Sequence, residues 1–560
     1  ITIINQRQHV GLQKLSALSA ITTQFLGPTK NYKFIQDDAT GESTLVSSCR
    51  RVLENLELTC AVGQLVYETI GAHHDIYKTG SGCLLFMAGA WSRAALEGLH
   101  RGIPTGQIIS AMAEGMDICL SVCKQCSIPL QELHATPKVS NAHLSNKAFV
   151  KDPKLKLSRH FHEPEFENTS LSPHTTSDTP ELADIARTLS HGCSDAMDLV
   201  VKASQIQFEQ DLTFDVDHIF TCLLPGSAGD NACMLPGCIV PVSPEQAVIT
   251  HHLEGQDLKM ALIDGDLTST FRHLGYNKPK RLKQVSDFAS SQNQDEDWLE
   301  SVVRHCLSLE VKFSVLKSLT ISTGAILVSY ATQLNSKCLG NGVNVNILKD
   351  FGNKSKCEAA LNISTIKKNG LVTAVLTSCV QGKSQSVEDT FWACAYRLHW
   401  ALHDKCLLPG GGVTEMICIH QLQKQAQLYG RSVPQINPRT AAGPYTGVVL
   451  QLMADGLMDF MSSVMVNTGR YSKVEARTVV TEQLHDWDGR VDSVKFSKMF
   501  SDDDPGDSDC DRRTICDVLL VKQEVWRRAL DLVFLILQTD AEVITGVDQK
   551  RAGQRDLMFL

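Results

Sequence analysis

Three short stretches of this chain hold residues whose type and spacing could do chemistry. Pro409-Gly410-Gly411-Gly412 stands between a helical pattern and the apolar run Met416, Ile417, Ile419. Consecutive glycines let a backbone approach a ligand closely, or open a helix whose first N–H groups receive an anion such as phosphate. The same residues also make a plain helix-to-helix turn. Cys119, Cys123 and Cys126, with His134 downstream, are zinc-type ligands. Tetrahedral zinc needs four convergent ligands, usually in two close pairs, whereas these spacings line the thiols along one helix face. Core packing is the expectation for them, and for Cys222, Cys233 and Cys238. The third stretch, Asp502 to Asp511, lacks the glycine and the closing glutamate of a calcium loop and reads as a solvated loop. No metal site is expected. His73-His74 and His251-His252 have no nameable partners, and no nucleophile elbow, His-Glu-x-x-His or Walker A motif occurs.

The elements that must position these residues follow from apolar spacing. Val52, Leu53, Leu56, Val62, Leu65 and Val66 predict helix, as does Leu84 through Leu99, which stops near Gly102 and Pro104. A further helix is predicted from Gln107 to Lys124. Residues 133 to 177, rich in Ser, Thr, Pro, His, Asn and Lys, offer too little apolar area to offset their ordering entropy. Helical spacing resumes from Leu182 to Val200. Short apolar runs then predict strands at Cys238–Val242, Met260–Ile263, Val311–Val315, Ala325–Val328 and Leu371–Leu376. Helices are predicted again from Val387 to His403, Val448 to Val464, Lys473 to His485 and Glu524 to Leu537. Helical ends around a strand-rich middle suggest an α/β multidomain protein whose ends meet.

Length and composition bound the function. At 560 residues there is room for about three domains, because single cores rarely exceed roughly 250–300 residues. The formal charge of −9 argues against a nucleic-acid partner. The longest apolar run, Cys83 to Trp91, falls short of the about 20 residues of a membrane span, so no membrane insertion is expected. Nineteen cysteines scattered through helical and strand patterns suit a reducing cytoplasmic compartment better than a disulfide scaffold. Gln6 to His9 interrupt any apolar leader, and the initial Ile suggests that preceding residues are missing.

Taken in order, four segments make the chain resemble a group II chaperonin subunit of the CCT/TCP-1 type over nearly its whole length. They are Leu26-Gly27-Pro28; Gly80-Ser81-Gly82 leading to Ala88-Gly89; Glu388 through Gly412; and Asp517, Val521, Lys522 with Ile536-Leu537 and Asp540. Asp264 to Thr268, Arg272 to Gly275, Phe391 to Arg397 and Trp526 to Leu532 resemble a divergent Bardet–Biedl chaperonin-like branch of that family. The resemblance implies a helical equatorial domain from residues 1–132 and 405–560 and a low-complexity insertion at 133–178. It implies an intermediate hinge domain from 179–225 and 366–404, and an α/β apical domain from 226–365. Between Val311 and Ile326 there is too little chain for the usual strand–helix crossovers; either the apical domain is shortened or part of it is absent.

The resemblance also implies where nucleotide chemistry would sit, and there this chain departs from the pattern. The magnesium carboxylate of the phosphate loop is replaced by Thr79, or by Ser81 in the other alignment. The Asn-Asp-Gly motif falls near Ser47-Ser48-Cys49, and the catalytic Asp falls on Ala393, with Asp389 a turn earlier. Hard cations want oxygen ligands, and an attacking water wants a positioned acceptor. No catalytic residue is therefore assigned. Gly80, Gly82, Gly410, Gly411, Gly412 and Asp517 are read as a vestigial nucleotide site, with weak ATP binding left open and no cofactor expected. What is implied is a non-catalytic assembly factor working with sister chaperonin-like proteins and CCT subunits on BBSome clients, in the cytoplasm, basal body and cilium. The competing expectation is an active ATP-dependent folding subunit.

Overall fold

The computed structural model describes residues 2–5, 9–36, 41, 43–131, 178–210, 212–225, 232–264, 313–329, 335–348, 359–365, 370–431, 445–486 and 515–544. His134 with the rest of 133–177, the motif residues Gly265 to Gly275, and Asp502 to Asp511 lie outside the described residues.

The chain begins with β1 (Thr2–Asn5) and α1 (Val10–Thr22), followed by a hairpin of β2 (Lys33–Gln36) and β3 (Ser43–Val46). Next come α2 (Cys49–Glu54), α3 (Ala61–Tyr77), α4 (Ser81–His100), α5 (Thr105–Gln125) and the short β4 (Ile128–Pro129). The apolar series from Val52 to Val66 is thus two helices. Asn55 closes α2 with its side-chain amide on the Arg51 carbonyl, and the Cys60 sulfur accepts from the Gly63 N–H at the start of α3. Helices α4 and α5 fall where spacing and Pro104 place them. The series from Leu182 to Val200 also divides, into α6 (Asp178–Thr188) and α7 (Ser194–Phe208). His191 (φ 49°) and Gly192 (φ 82°) between them are both left-handed, which no helix can contain.

The middle of the chain comprises β5 (Ile219–Pro225), β6 (Cys233–Pro236), β7 (Cys238–Val242), α8 (Pro244–Leu253), β8 (Leu258–Met260) and β9 (Leu262–Ile263). It continues through α9 (Phe313–Thr323), β10 (Leu327–Val328), β11 (Gly340–Leu348), β12 (Ala359–Thr365) and β13 (Val372–Ser378). One sheet has the order β7-β12-β11-β8 and another the order β5-β13-β6, with β5 and β13 parallel. The strand expected at Val311–Val315 is corrected: from Phe313 the chain is helical, because Leu316 and Leu319 lie one turn apart and both pack on the sheet core. That core, with Val240, Val343, Leu361 and Ile363, is separate from the large helical one.

The remaining elements are α10 (Gln381–Asp404), β14 (Cys406–Pro409), α11 (Val413–Arg431), α12 (Thr446–Asn467), α13 (Lys473–Asp486), β15 (Cys516–Val518), α14 (Leu519–Gln538) and β16 (Ala541–Ile544). Helix α4 is central, packed by α1, α12 and α14, so both ends of the chain share one core. Gly89 permits the closest crossing: a Cβ there would stand 2.2 Å from the Ser19 Cβ of α1. Helix α12 is long and apolar enough to cross a membrane, with mean hydropathy 1.3 over 18 of its residues. Its apolarity has a plainer cause, since Leu450, Met453, Leu457 and Met461 are buried in the helical core. Cys119, Cys123, Cys222 and Cys238 are buried free thiols, while Cys126 and Cys233 are half-buried. Among the described residues no group of His, Cys, Asp and Glu is arranged to hold a metal.

Strand β14 joins segments far apart in the sequence. It pairs antiparallel with β4 through Leu407↔Ile128 and with β15 through Leu408↔Asp517. Three segments remote in sequence thereby form one small sheet, and its register sets Asp517 beside the residues that lead into the triple glycine.

Candidate functional site

Gly410 continues the ladder, donating its N–H to the Ile515 carbonyl at 2.8 Å, and a Cβ there would press that carbonyl at 3.0 Å. Gly411 (φ 59°) and Gly412 (φ 84°) then turn left-handed, a conformation that side chains disfavour. The turn opens α11, with Thr414 Oγ1 donating to the Pro409 carbonyl and Glu415 in the first helical turn. Helix α14 opens next to it, its Leu520 N–H donating to Asp404 Oδ2 at the end of α10.

The two openings are joined by one cation. Lys522 Nζ lies 2.5 Å from Glu415 Oε1 and 2.6 Å from Asp517 Oδ2, with Glu415 only 2% exposed. Burial alone would lower the Lys522 pKa, but Asp517 and Glu415 outweigh it and hold the ammonium well above its usual range. Burial opposes Asp517 in the same way, and Lys522, then His191, hold its carboxyl below the usual value. His191 Nε2 lies 2.7 Å from the Cys516 carbonyl and 3.3 Å from Asp517 Oδ1. Both neighbours are acceptors, so this nitrogen carries the proton. Burial, helped by Arg397, pushes the imidazole down to about 4, and it is neutral at pH 7.

Gly80 and Gly82 arrive on the same place from α4. Gly80 (φ 81°) sits at the helix start, and a Cβ there would meet Val525 and Val521 of α14 at 2.9 and 3.3 Å. Gly82 faces Leu26 of the Leu26-Gly27-Pro28 turn, and Gly192 faces Pro28. Cys83 of α4 feels the charges of Lys522, Asp517, Glu415 and Arg397, although burial is what chiefly lifts its thiol, to about 11. The fold therefore brings Gly80 against α14 and the triple-glycine turn beside Asp517. The loop into α4 is held by a residue that spacing did not reveal. His73, fully buried, meets the Thr79 carbonyl at 3.0 Å through Nε2, and its Nδ1 finds no hydrogen-bond partner among the described residues. His251, from the other histidine pair, meets Glu254 at 3.2 Å.

The substituted positions are held by contacts of their own. Ala393 is nearly buried on α10, and Asp389, one turn earlier, is gripped by Arg51 through Nε at 3.1 Å and Nη2 at 2.9 Å, with Ser48 Oγ donating at 3.2 Å. Ser47 completes the seam by bonding Ser386. Lys30, just past the Leu26-Gly27-Pro28 turn, enters from the other side, and burial followed by repulsion from Arg397 lowers its pKa. Buried Arg397 donates Nη1 to the Leu189 and Ser190 carbonyls at 3.2 and 3.1 Å. Arg397, His191, Glu415 and His73 were absent from the sequence-derived set. The local signals were the His191-Gly192 pair and an acid three residues past the triple glycine; His73 had none.

Two outcomes test this geometry. Lys522→Met leaves Glu415 and Asp517 without their cation and should lower unfolding stability by about 3 kcal/mol in urea titration, with Glu415→Gln added to it restoring part. His73 is pushed down to about 4 from 6.5, mainly by burial. It must gain a proton on unfolding in acid, so its contribution is complete above pH 6.5 and is lost as pH falls toward 4. The loss is on the order of 3 kcal/mol. Thermal unfolding across that window should show a flatter slope for His73→Gln than for the parent, with His191 supplying the remaining fall.

Comparison with known proteins places the chain among chaperonin relatives. No protein-family model matches it. The protein named chaperonin-containing T-complex member BBS12 from Homo sapiens is 30% identical, over 99% of this chain and 98% of its own. Its Xenopus laevis counterpart is 33% identical over 96% and 97%, and that of Mus musculus 29% over 99% and 98%. The human alignment runs over 706 positions against 560 residues here, so that relative carries segments with no counterpart in this chain.

Proposed function

This chain belongs to the BBS12 family of chaperonin-like proteins, and we propose that it is a non-catalytic assembly factor. It would work with sister chaperonin-like proteins and CCT subunits on BBSome components, in the cytoplasm and at the basal body and cilium. In this reading the helical core from both chain ends is the equatorial domain. Helices α6, α7 and α10 belong to the intermediate domain, and the sheet β7-β12-β11-β8 to the apical domain.

The observation that carries the non-catalytic reading is the commitment of Asp389. It is the carboxylate nearest Ala393 along α10, and both its oxygens are taken by Arg51, from the segment where the family's Asn-Asp-Gly motif would lie. A general base must present a free acceptor to the attacking water, and a carboxylate forked by guanidinium is a poor one. The cations Lys30 and Arg51 stand in a region where magnesium would require oxygen ligands. Gly80 at the head of α4 and the left-handed Gly411 and Gly412 favour a second, narrower reading, in which the phosphates of ATP still bind weakly without being hydrolysed. The purified chain should release phosphate from radiolabelled ATP no faster than Gly411→Asp does. Turnover in the parent that this substitution abolishes would establish an active folding subunit instead.

Association is supported by two small open sheets. Among the described residues β2 and β3 pair only with each other, as do β1 and β16. Two-stranded sheets are marginal alone and offer unpaired edges to another chain. Phe34 on β2 is 77% exposed. Phe34→Asp should leave thermal stability unchanged and reduce recovery in a large chaperonin-containing fraction from ciliated-cell lysate about tenfold. Elution of the parent as a lone small species would overturn the assembly reading.

A further inference from the structure

Cys193 and Cys394 are two of the free thiols, 201 positions apart in sequence, and the fold draws them together around Arg397. Cys193 is half-buried at the N-cap of α7, where Met197 donates its N–H to the Cys193 carbonyl and Cys193 donates its own to Ser190. Cys394 is buried on α10, next to Ala393. Arg397 links the two sides: its Nη1 lies 3.9 Å from Cys394 Sγ and also binds the Leu189 and Ser190 carbonyls of the Cys193 loop. Its Nε has no hydrogen-bond partner among the described residues. A paired thiol, a helix N-terminus and nearby cations are the surroundings that favour thiolate. Their effect follows: the bond from Cys394, then Arg397 and Lys30, hold Cys193 well below the usual thiol range, while Cys394 is held above it.

We propose that Cys193 and Cys394 are a peroxide-reactive dithiol that closes to a disulfide, tying the 189–193 loop to α10. The Cys193 thiolate attacks one oxygen of hydrogen peroxide; the O–O bond breaks, and the departing hydroxide takes a proton and leaves as water. This gives a sulfenic acid on Cys193. The Cys394 sulfur attacks that sulfur, the S–OH bond breaks, and the departing hydroxide takes the Cys394 proton as a second water. Two thiols lose two electrons and two protons, and one peroxide becomes two waters. The consequence reaches Asp517, because the same loop carries His191 against Cys516 and Asp517.

The full chain is treated with hydrogen peroxide, blocked with iodoacetamide and digested without reductant for mass spectrometry. A peptide linking Cys193 to Cys394, lost on adding dithiothreitol and absent in Cys193→Ser, is the expected result. Serine is a good N-cap, so that variant should fold. In Cys394→Ser, dimedone should label Cys193. Without oxidant, Cys193 should alkylate at neutral pH about tenfold faster than the exposed Cys379. No linked peptide, or alkylation of Cys193 no faster than of Cys379, would overturn the proposal.

Discussion

A single buried ammonium joins two helices of the helical core. Lys522 comes from α14, Asp517 from β15 and Glu415 from α11, and the three meet only when the last segments of the chain return to β14. Removing charge from water costs several kcal/mol per ion unless the partners are close and well aligned. Here they are, so the contact discriminates sharply against any arrangement that separates α11 from α14. Its neutral extension, His191 on Cys516 and Asp517, brings in the loop between α6 and α7. Helical packing, sheet register and the electrostatics around Lys522 are therefore mutually dependent.

Around that centre the backbone is held in conformations seldom populated. Lys78 and Gly80, His191 and Gly192, and Gly411 and Gly412 all have positive φ, and each pair marks a turn between two elements. Such conformations cost of order 1–3 kcal/mol each for non-glycine residues and persist when their surroundings over-determine them. His73 supplies part of that support for the Lys78–Gly80 loop, while Asn467 binds the carbonyls of Thr23 and Leu26 before the Leu26-Gly27-Pro28 turn. The glycine turns stand among a distinct set of contacts: Arg51 on Asp389, Lys30 beside Arg397, and Thr79 engaged through its carbonyl.

Much of the fold was legible one element at a time. Helices α4, α5, α10 and α12 showed in apolar spacing and in stop signals such as Gly102 and Pro104. Helices that spacing joined were divided by local chemistry weaker than that pattern: the Asn55 cap, the Cys60 sulfur, and the left-handed pair His191-Gly192. Val311–Val315 read as strand because β-branched residues flank it, but an eleven-residue segment with Leu316 and Leu319 on one face buries more apolar area as a helix.

By itself, the sequence determined the order of the glycine turns, the identity of the residues at each expected catalytic position, and the family to which the chain belongs. These depend on residue type and on spacing along one dimension. Only the tertiary structure decided which charges satisfy one another. Lys522 could have paired with any acid in reach, Asp389 could have stood free, and Cys193 and Cys394 could have been unrelated core thiols. Those pairings span from 5 residues, for Asp517 and Lys522, to 338, for Arg51 and Asp389. Electrostatic and hydrogen-bond energies depend on distance through space and on burial, and neither exists until the chain has folded.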